Sequence, residues 1–187
     1  APYGIVRQVA ALAGDDAIVT SDVGQHQMWA AQTYPFTRPR QWLTSGGLGT
    51  MGFGLPAAIG AALAEPGRTV VCFTGDGSLL MNVQELATAA EEGVNVKVIL
   101  LNNGHLGLVR QQQQLFYGGR YSASRFHVAL DFATIARGFG VAAYDLGTST
   151  DAGATLADAL RASGPCLVNV PIAAEENVYP MVPPGAA

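Results

Sequence analysis

Apolar residues recur along this chain in two alternating rhythms. Apolar-rich runs at 17–20, 69–74, 96–101 and 166–170 have the length and composition of strands, and the continuous one at 69–74 that of a strand buried on both faces. Between them the spacing changes to that of a helix. Ile5, Val9 and Leu12 share one face over residues 4–13, and Gly14 follows as a stop. Residues 25–33 read as a helix, as do 54–64, where GLPAAIGAALA offers small side chains for close packing. Val83, Leu86, Ala87 and Ala90 mark a further helix face that Gly93 ends, and residues 130–138 and 152–162 predict two more. Residues 178–187 carry three prolines and no clear period, which predicts an irregular segment. Strands separated by helices of this length imply right-handed crossovers. The predicted class is therefore α/β, a three-layer sandwich with a central, mainly parallel sheet flanked by helices. With no internal repeat and no low-complexity stretch, residues 1–187 read as a single domain.

Composition narrows the function classes. Hydrophobic residues make up 49% of the chain and charged ones 13%, which is apolar for a free-standing domain and predicts surface covered by another domain or subunit. A net charge of −4 with no Lys/Arg cluster argues against nucleic acid, and no apolar run is long enough to cross a bilayer. No signal-like start precedes the first helical pattern, so a cytoplasmic location is expected. Cys72 and Cys166 each sit inside a strand-like run, far from any C-x-x-C spacing, and read as reduced core thiols.

Candidate chemistry lies where the strands end, because open parallel sheets bind ligands beyond the carboxyl ends of their strands. The run at 69–74 leads into Gly75-Asp76-Gly77-Ser78, and the run at 96–101 into Asn102-Asn103-Gly104-His105. Neighbouring strands lie about 4.8 Å apart, so a carboxylate and a carboxamide can converge there on one point. Asp76 and Asn103 offer only oxygen, the ligand chemistry of a hard cation such as magnesium. Two side chains cannot fill an octahedron; a main-chain carbonyl, water and phosphate oxygens would complete it. Gly75 and Gly77 allow close approach of a bulky anion, and a helix starting near Ser78 directs N–H groups at it. Either motif alone is a turn in most proteins. Their pairing at the ends of two buried strands is the stronger signal. The segment Ser45-Gly46-Gly47-Leu48-Gly49-Thr50-Met51-Gly52 is too glycine-dense for the interior of a helix or strand, and on composition alone reads equally as a flexible loop. A Rossmann-type nucleotide module would carry G-x-G-x-x-G after the first strand, where this chain has Asp22-Val23-Gly24-Gln25-His26.

GDG, the 24 residues 78–101 and then NN resemble the thiamine diphosphate fingerprint. The resemblance implies that Asp76, Asn103 and the main-chain carbonyl of His105 hold Mg2+, with no catalytic role for the His105 imidazole. It also implies that Gly75, Gly77 and Ser78 flank the diphosphate, that Gly24, Gln25 and His26 line its far end, and that Leu106-Gly107-Leu108 runs beside the thiazolium. In that family the Gly49 carbonyl accepts from the aminopyrimidine. Met51 wedges beneath the bend between the two rings, a task suited to an unbranched, polarizable side chain.

Four stretches resemble the large catalytic subunits of acetolactate synthase (acetohydroxyacid synthase) in particular: VGQHQMWAAQTYPF at 23–36, SGGLGTMGFGLPAAIGA at 45–61, LFYGGRYS at 115–122 and VYPMVPPGAA at 178–187. The implied reaction decarboxylates pyruvate and ligates its hydroxyethyl unit to a second 2-oxo acid, in branched-chain amino acid biosynthesis. One departure stands out. Gln112 occupies a position where most relatives have a tryptophan that shapes the acceptor pocket and favours 2-ketobutyrate. The glutamine resembles a minority form with weaker acceptor preference; a Gln-rich helix face is also commonly just solvated. No acidic residue here suits the activating glutamate; Glu85 reads as helix surface or interface. The resemblance places that glutamate in the pyrimidine-binding domain of a partner subunit. It places the substrate-carboxylate arginine and the FAD site in a middle domain, both domains preceding Ala1, with the subunit continuing past Ala187. A fragment without catalytic residues of its own, inactive alone, is the expectation. So are a homo-oligomeric parent and a possible regulatory subunit. Another thiamine-dependent enzyme, such as glyoxylate carboligase or a 2-oxo acid decarboxylase, and a purely interacting unit are the alternative readings.

Overall fold

A computed structural model describes residues 1–183 and residue 185. Residues 184, 186 and 187, the end of the 178–187 stretch, lie outside the described residues. The chain runs α1 (Pro2–Ala13), β1 (Ile18–Ser21), α2 (Gln25–Thr33), β2 (Trp42–Thr44), α3 (Gly54–Ala64), β3 (Val70–Gly75), α4 (Asp76–Leu79), α5 (Glu85–Glu91), β4 (Val96–Asn102), α6 (Gly107–Phe116), α7 (Phe132–Gly138), β5 (Ala142–Asp145), α8 (Ala152–Arg161) and β6 (Cys166–Pro171). The six strands form one sheet in the order β2-β1-β3-β4-β6-β5, and every pairing is parallel.

Period-two alternation divides the strands between two cores. Val70 and Cys72 of β3, and Val96, Val98 and Leu100 of β4, face a layer built from α3, α5 and α7. Val71 and Phe73, with Ile99 and Leu101, face the opposite layer, where Val6 and Val9 of α1, Trp29 of α2 and Leu156 of α8 pack. All residues of β3 are buried, so both faces are apolar and the run shows no polar alternation. Both cysteines are buried and unbridged. Burial pushes the Cys166 thiol up to about 11 and the Cys72 thiol up as well, which leaves both as unreactive core groups. No helix among the described residues is long and apolar enough to cross a membrane.

Tertiary packing corrected several details of the periodicity. Leu12 is 43% exposed, and the face that α1 buries is Val6, Val9 and Ala10, with Pro2 at its start. On α5 the buried residues are Leu86 and Ala89; Ala87 is exposed and Val83 precedes the helix. The short edge strands β2 and β5 had no apolar run to announce them. An edge strand is paired on one side only and is here three or four residues long. Lys97, wholly buried in β4, looks like a misplaced charge; its Nζ donates to the carbonyls of Gly164 (2.8 Å) and Ala162 at the end of α8.

Strand order sets the position of the site. From β1 the chain crosses outward to β2 through α2, then returns over the other face through α3 to β3. The reversal makes the carboxyl ends of β1 and β3 a topological switch point, where such sheets open a crevice.

Candidate cofactor and metal site

Beyond that crevice lies a concave site, half open to solvent, of the kind that small ligands and cofactors occupy. Its wall gathers most of the residues singled out from sequence. Gly24, Gln25 and His26 come from the end of β1, Gly75, Asp76, Gly77 and Ser78 from the end of β3, and Asn103, His105, Leu106, Gly107 and Leu108 from the turn after β4. Met51 enters from the glycine-rich loop and Gln112, exposed, from α6. Gly49 does not reach the wall; it is exposed in the same loop, with a φ of 66°.

Register explains the convergence of Asp76 and Asn103. Gly75 pairs with Leu101, so each motif begins as its strand leaves the sheet. The Asp76 carboxylate then spans both turns. One oxygen accepts the Gly77 N–H at 2.7 Å, and the other accepts the Gly104 N–H at 2.6 Å. Asn103 Oδ1 accepts the His105 N–H at 3.0 Å, while its Nδ2 donates to Gln25 Oε1 at 3.2 Å. The His105 ring nitrogen Nδ1 lies 2.8 Å from the Asn103 carbonyl, so its imidazole is engaged within its own turn.

Main-chain amides are what offsets the burial of Asp76. Burial raises the Asp76 pKa, against the lowering effect of N–H groups from Gly77, Gly104, His105 and Asn103. Those amides supply partial charge and no full cation. A bound divalent ion would stabilise the ionised form directly. Among the described residues no three His, Cys, Asp or Glu side chains cluster as a metal site; the side-chain oxygen donors at this corner are one carboxylate and one carboxamide, to which main-chain and ligand oxygens would add. His26 is buried against Gly24 and Gly75, its Nε2 has no hydrogen-bond partner among the described residues, and burial lowers its pKa to about 3. A neutral imidazole with one free nitrogen on a cavity wall is suited to meeting a polar ligand atom. The cavity, the oxygen donors and this orphaned nitrogen fit a metal-bound diphosphate.

Sequence reasoning missed five contributors. Val23, Trp29 and Val109 complete the cavity wall with Leu101. Trp29 lies one helical turn after Gln25 and was legible from spacing; Leu101 carried only a core signal. The fifth is Asp22, noticed only as the end of a strand. It is buried, accepts the Gly54 N–H at 2.9 Å and the Thr74 hydroxyl at 2.7 Å, and so ties the start of α3 to the ends of β1 and β3. Burial raises its pKa.

Comparison with known proteins agrees with this geometry. The family "Thiamine pyrophosphate enzyme, C-terminal TPP binding domain" matches residues 22–170. Over 99% of its length the chain is 60% identical to the acetolactate synthase isozyme 1 large subunit of Escherichia coli K12, covering 33% of that protein. It is 49% identical to the isozyme 2 large subunit of the same organism and 46% identical to acetolactate synthase 2, chloroplastic, of Zea mays, covering 33% and 30% of them. The chain thus spans about a third of the length of the curated relatives it matches. With a domain model that covers most of the sequence and a parallel sheet presenting both motifs at one edge, the chain belongs to the thiamine pyrophosphate enzymes, as their C-terminal cofactor-binding domain.

Proposed function

We propose that residues 1–187 act as one unit that holds thiamine diphosphate through Mg2+, and that this unit serves the catalytic subunit of an acetolactate synthase. The observation that carries the reading is the contact between the Asp76 carboxylate and the Gly104 amide, which joins the two ligand-bearing turns at adjacent strand ends. Asp76, Asn103 and the His105 carbonyl would hold the ion. Ser78 and the flanking Gly75 and Gly77 would border the diphosphate, with Gly24, Gln25 and the free Nε2 of His26 at its far end. Leu106, Gly107 and Leu108 would flank the thiazolium; the Gly49 carbonyl and Met51 would serve the pyrimidine, and the Gln112 side chain the acceptor pocket. Thiamine diphosphate, when bound, supplies the electron sink for decarboxylation of a 2-oxo acid.

The relatives are named as acetolactate synthase large subunits, which does not favour glyoxylate carboligase; with that reading go pyruvate as donor and pyruvate or 2-ketobutyrate as acceptor. Among the described residues the wall holds no carboxylate besides Asp76; in this reading the group that activates the pyrimidine comes from a partner subunit's domain, and FAD belongs to a middle domain. Leu48 is 94% exposed in the glycine-rich loop, and Met81 is 53% exposed beside Gly52, a pair of apolar side chains suited to cover by that partner. A homo-oligomeric parent, paired with a regulatory subunit and working in the cytoplasm in its bacterial forms, completes the reading. Calorimetric titration with thiamine diphosphate, with and without Mg2+, tests it. Binding should require Mg2+, and Asp76→Ala should abolish the Mg2+-dependent part; persistence of that part in the variant overturns the assignment.

A further inference from the structure

Gln111 lies on α6, one residue from Gln112, yet it is the only buried residue of that helix. Its amide is fully used. Oε1 accepts the Val178 N–H at 2.9 Å and the Gln25 Nε2–H at 2.9 Å, and Nε2 donates to the Val178 carbonyl at 2.7 Å and to Met181 Sδ at 3.7 Å. Gln111 therefore pairs with the main chain of residue 178 from both sides, as a neighbouring strand would.

The direction of these bonds has a consequence at the metal turn. A main-chain N–H only donates and a main-chain carbonyl only accepts, so Val178 dictates which end of the Gln111 amide is oxygen. Gln111 Oε1 must then face the nitrogen of Gln25, whose other N–H donates to the Glu176 carbonyl at 3.0 Å. With both N–H groups of Gln25 committed, its Oε1 is left to accept from Asn103 Nδ2. The Asn103 carboxamide is thereby oriented with Nδ2 toward Gln25 and Oδ1 toward the His105 N–H, in the turn whose Gly104 N–H meets Asp76. Gly107 makes room for the last step, since a Cβ there would stand 2.1 Å from Gln25 Oε1 and 2.6 Å from Asn103 Nδ2.

We infer that Gln111 is a positioning residue for the metal centre: it clamps the segment around Val178 to Gln25, and through Gln25 it fixes which atom Asn103 presents to the ion. Seating of the segment and binding of the ion are coupled through this amide chain, and coupling between two events is reciprocal. Outer partners that orient a metal ligand matter about tenfold to a hundredfold in metal affinity.

The inference rests on the reading of Asp76 and Asn103 as the Mg2+ site, and the test separates the two. In the full-length subunit, hydrogen exchange of the segment 172–183 is followed with and without Mg2+ and thiamine diphosphate, beside calorimetry of cofactor binding. In the unaltered protein the ligands should slow exchange of the Val178 amide. Gln111→Met, which keeps the bulk and removes the amide, should weaken Mg2+-dependent binding at least about tenfold. At saturating ligand it should also fail to restore the Val178 protection. A purely structural Gln111 would change basal exchange without changing its response to Mg2+. Mg2+-dependent binding that leaves Val178 exchange unaltered in the natural sequence overturns the coupling, whether or not Gln111→Met folds. Equal affinity in the variant does the same. Absence of any Mg2+-dependent binding in the unaltered protein overturns the cofactor assignment itself.

Discussion

Replacing Asp22 by alanine should destabilise the chain far more than replacing it by asparagine, and the difference follows from donors left without acceptors. Asp22 is 1% exposed and receives the Gly54 N–H at 2.9 Å and the Thr74 hydroxyl at 2.7 Å. Alanine leaves both donors buried and unpaired, at about 1–3 kcal/mol each. Against this, alanine relieves the burial of a carboxylate whose pKa is raised by that same burial. The net loss should fall toward the lower end, about 2–3 kcal/mol. Asparagine keeps an oxygen for Gly54, and the Thr74 hydroxyl can rotate to accept from the new NH2 group. Its cost should stay within about 1 kcal/mol.

Urea denaturation of the chain measures this directly. With a slope near 2 kcal/mol/M, Asp22→Ala should move the midpoint down by about 1 M or more at unchanged slope. The pH dependence adds a second check. The folded-state pKa of Asp22 lies above its unfolded value, so the native state holds the proton more tightly, and this group's contribution is lost as pH rises through the folded value. Asp22→Asn does not titrate, so its stability relative to the natural sequence should improve with rising pH. Equal costs for alanine and asparagine would show that side-chain bulk matters and the acceptors do not, and the reasoning would fail.

Two further outcomes follow. Gly107→Ala should lower Mg2+-dependent cofactor affinity about tenfold or more, because its Cβ would meet Gln25 Oε1 at 2.1 Å and Asn103 Nδ2 at 2.6 Å; calorimetry indistinguishable from the natural sequence would exclude the steric link. His26 has a folded pKa of about 3 against 6.5 unfolded, so below pH 6.5 the unfolded chain takes up a proton that the native state refuses, and stability falls as the pH drops toward 3. His26→Phe should flatten the acid limb of stability against pH, measured by urea titration between pH 7 and 4; a parallel slope in the variant would rule out a neutral buried imidazole.

The sheet and both motifs were legible because each is local. A strand buried on both faces writes an unbroken apolar run, as at 70–75, and a turn that carries ligands writes its glycines and oxygens side by side. The edge strands write neither: β2 has three half-buried residues and β5 is partly exposed. The faces of α1 and α5 were displaced by one position in places because periodicity reports the existence of an apolar stripe more sharply than its centre, and the sheet decides the centre. Leu12 went to solvent while Ala10 went inside.

What the sequence withheld is the identity of the second layer around the site, and the pair Gln111 and Gln112 explains why. In a run of four glutamines each residue has the same chemistry and the same propensity. Only the packed chain distinguishes them: one amide is sealed against Val178, sixty-seven residues away, and its neighbour is exposed at the cavity mouth. Asp22 and Lys97 pose the same problem, since their partners lie on other strands and helices and leave no trace near them in the chain. A buried polar group is tolerated only when its hydrogen bonds are met, and those bonds are made by distant backbone. Ligand-bearing turns can therefore be read from a single segment. The groups that orient them become visible only when the acceptors and donors of the whole fold are counted, and it is there that the dependence of Asn103 on residue 178 emerges.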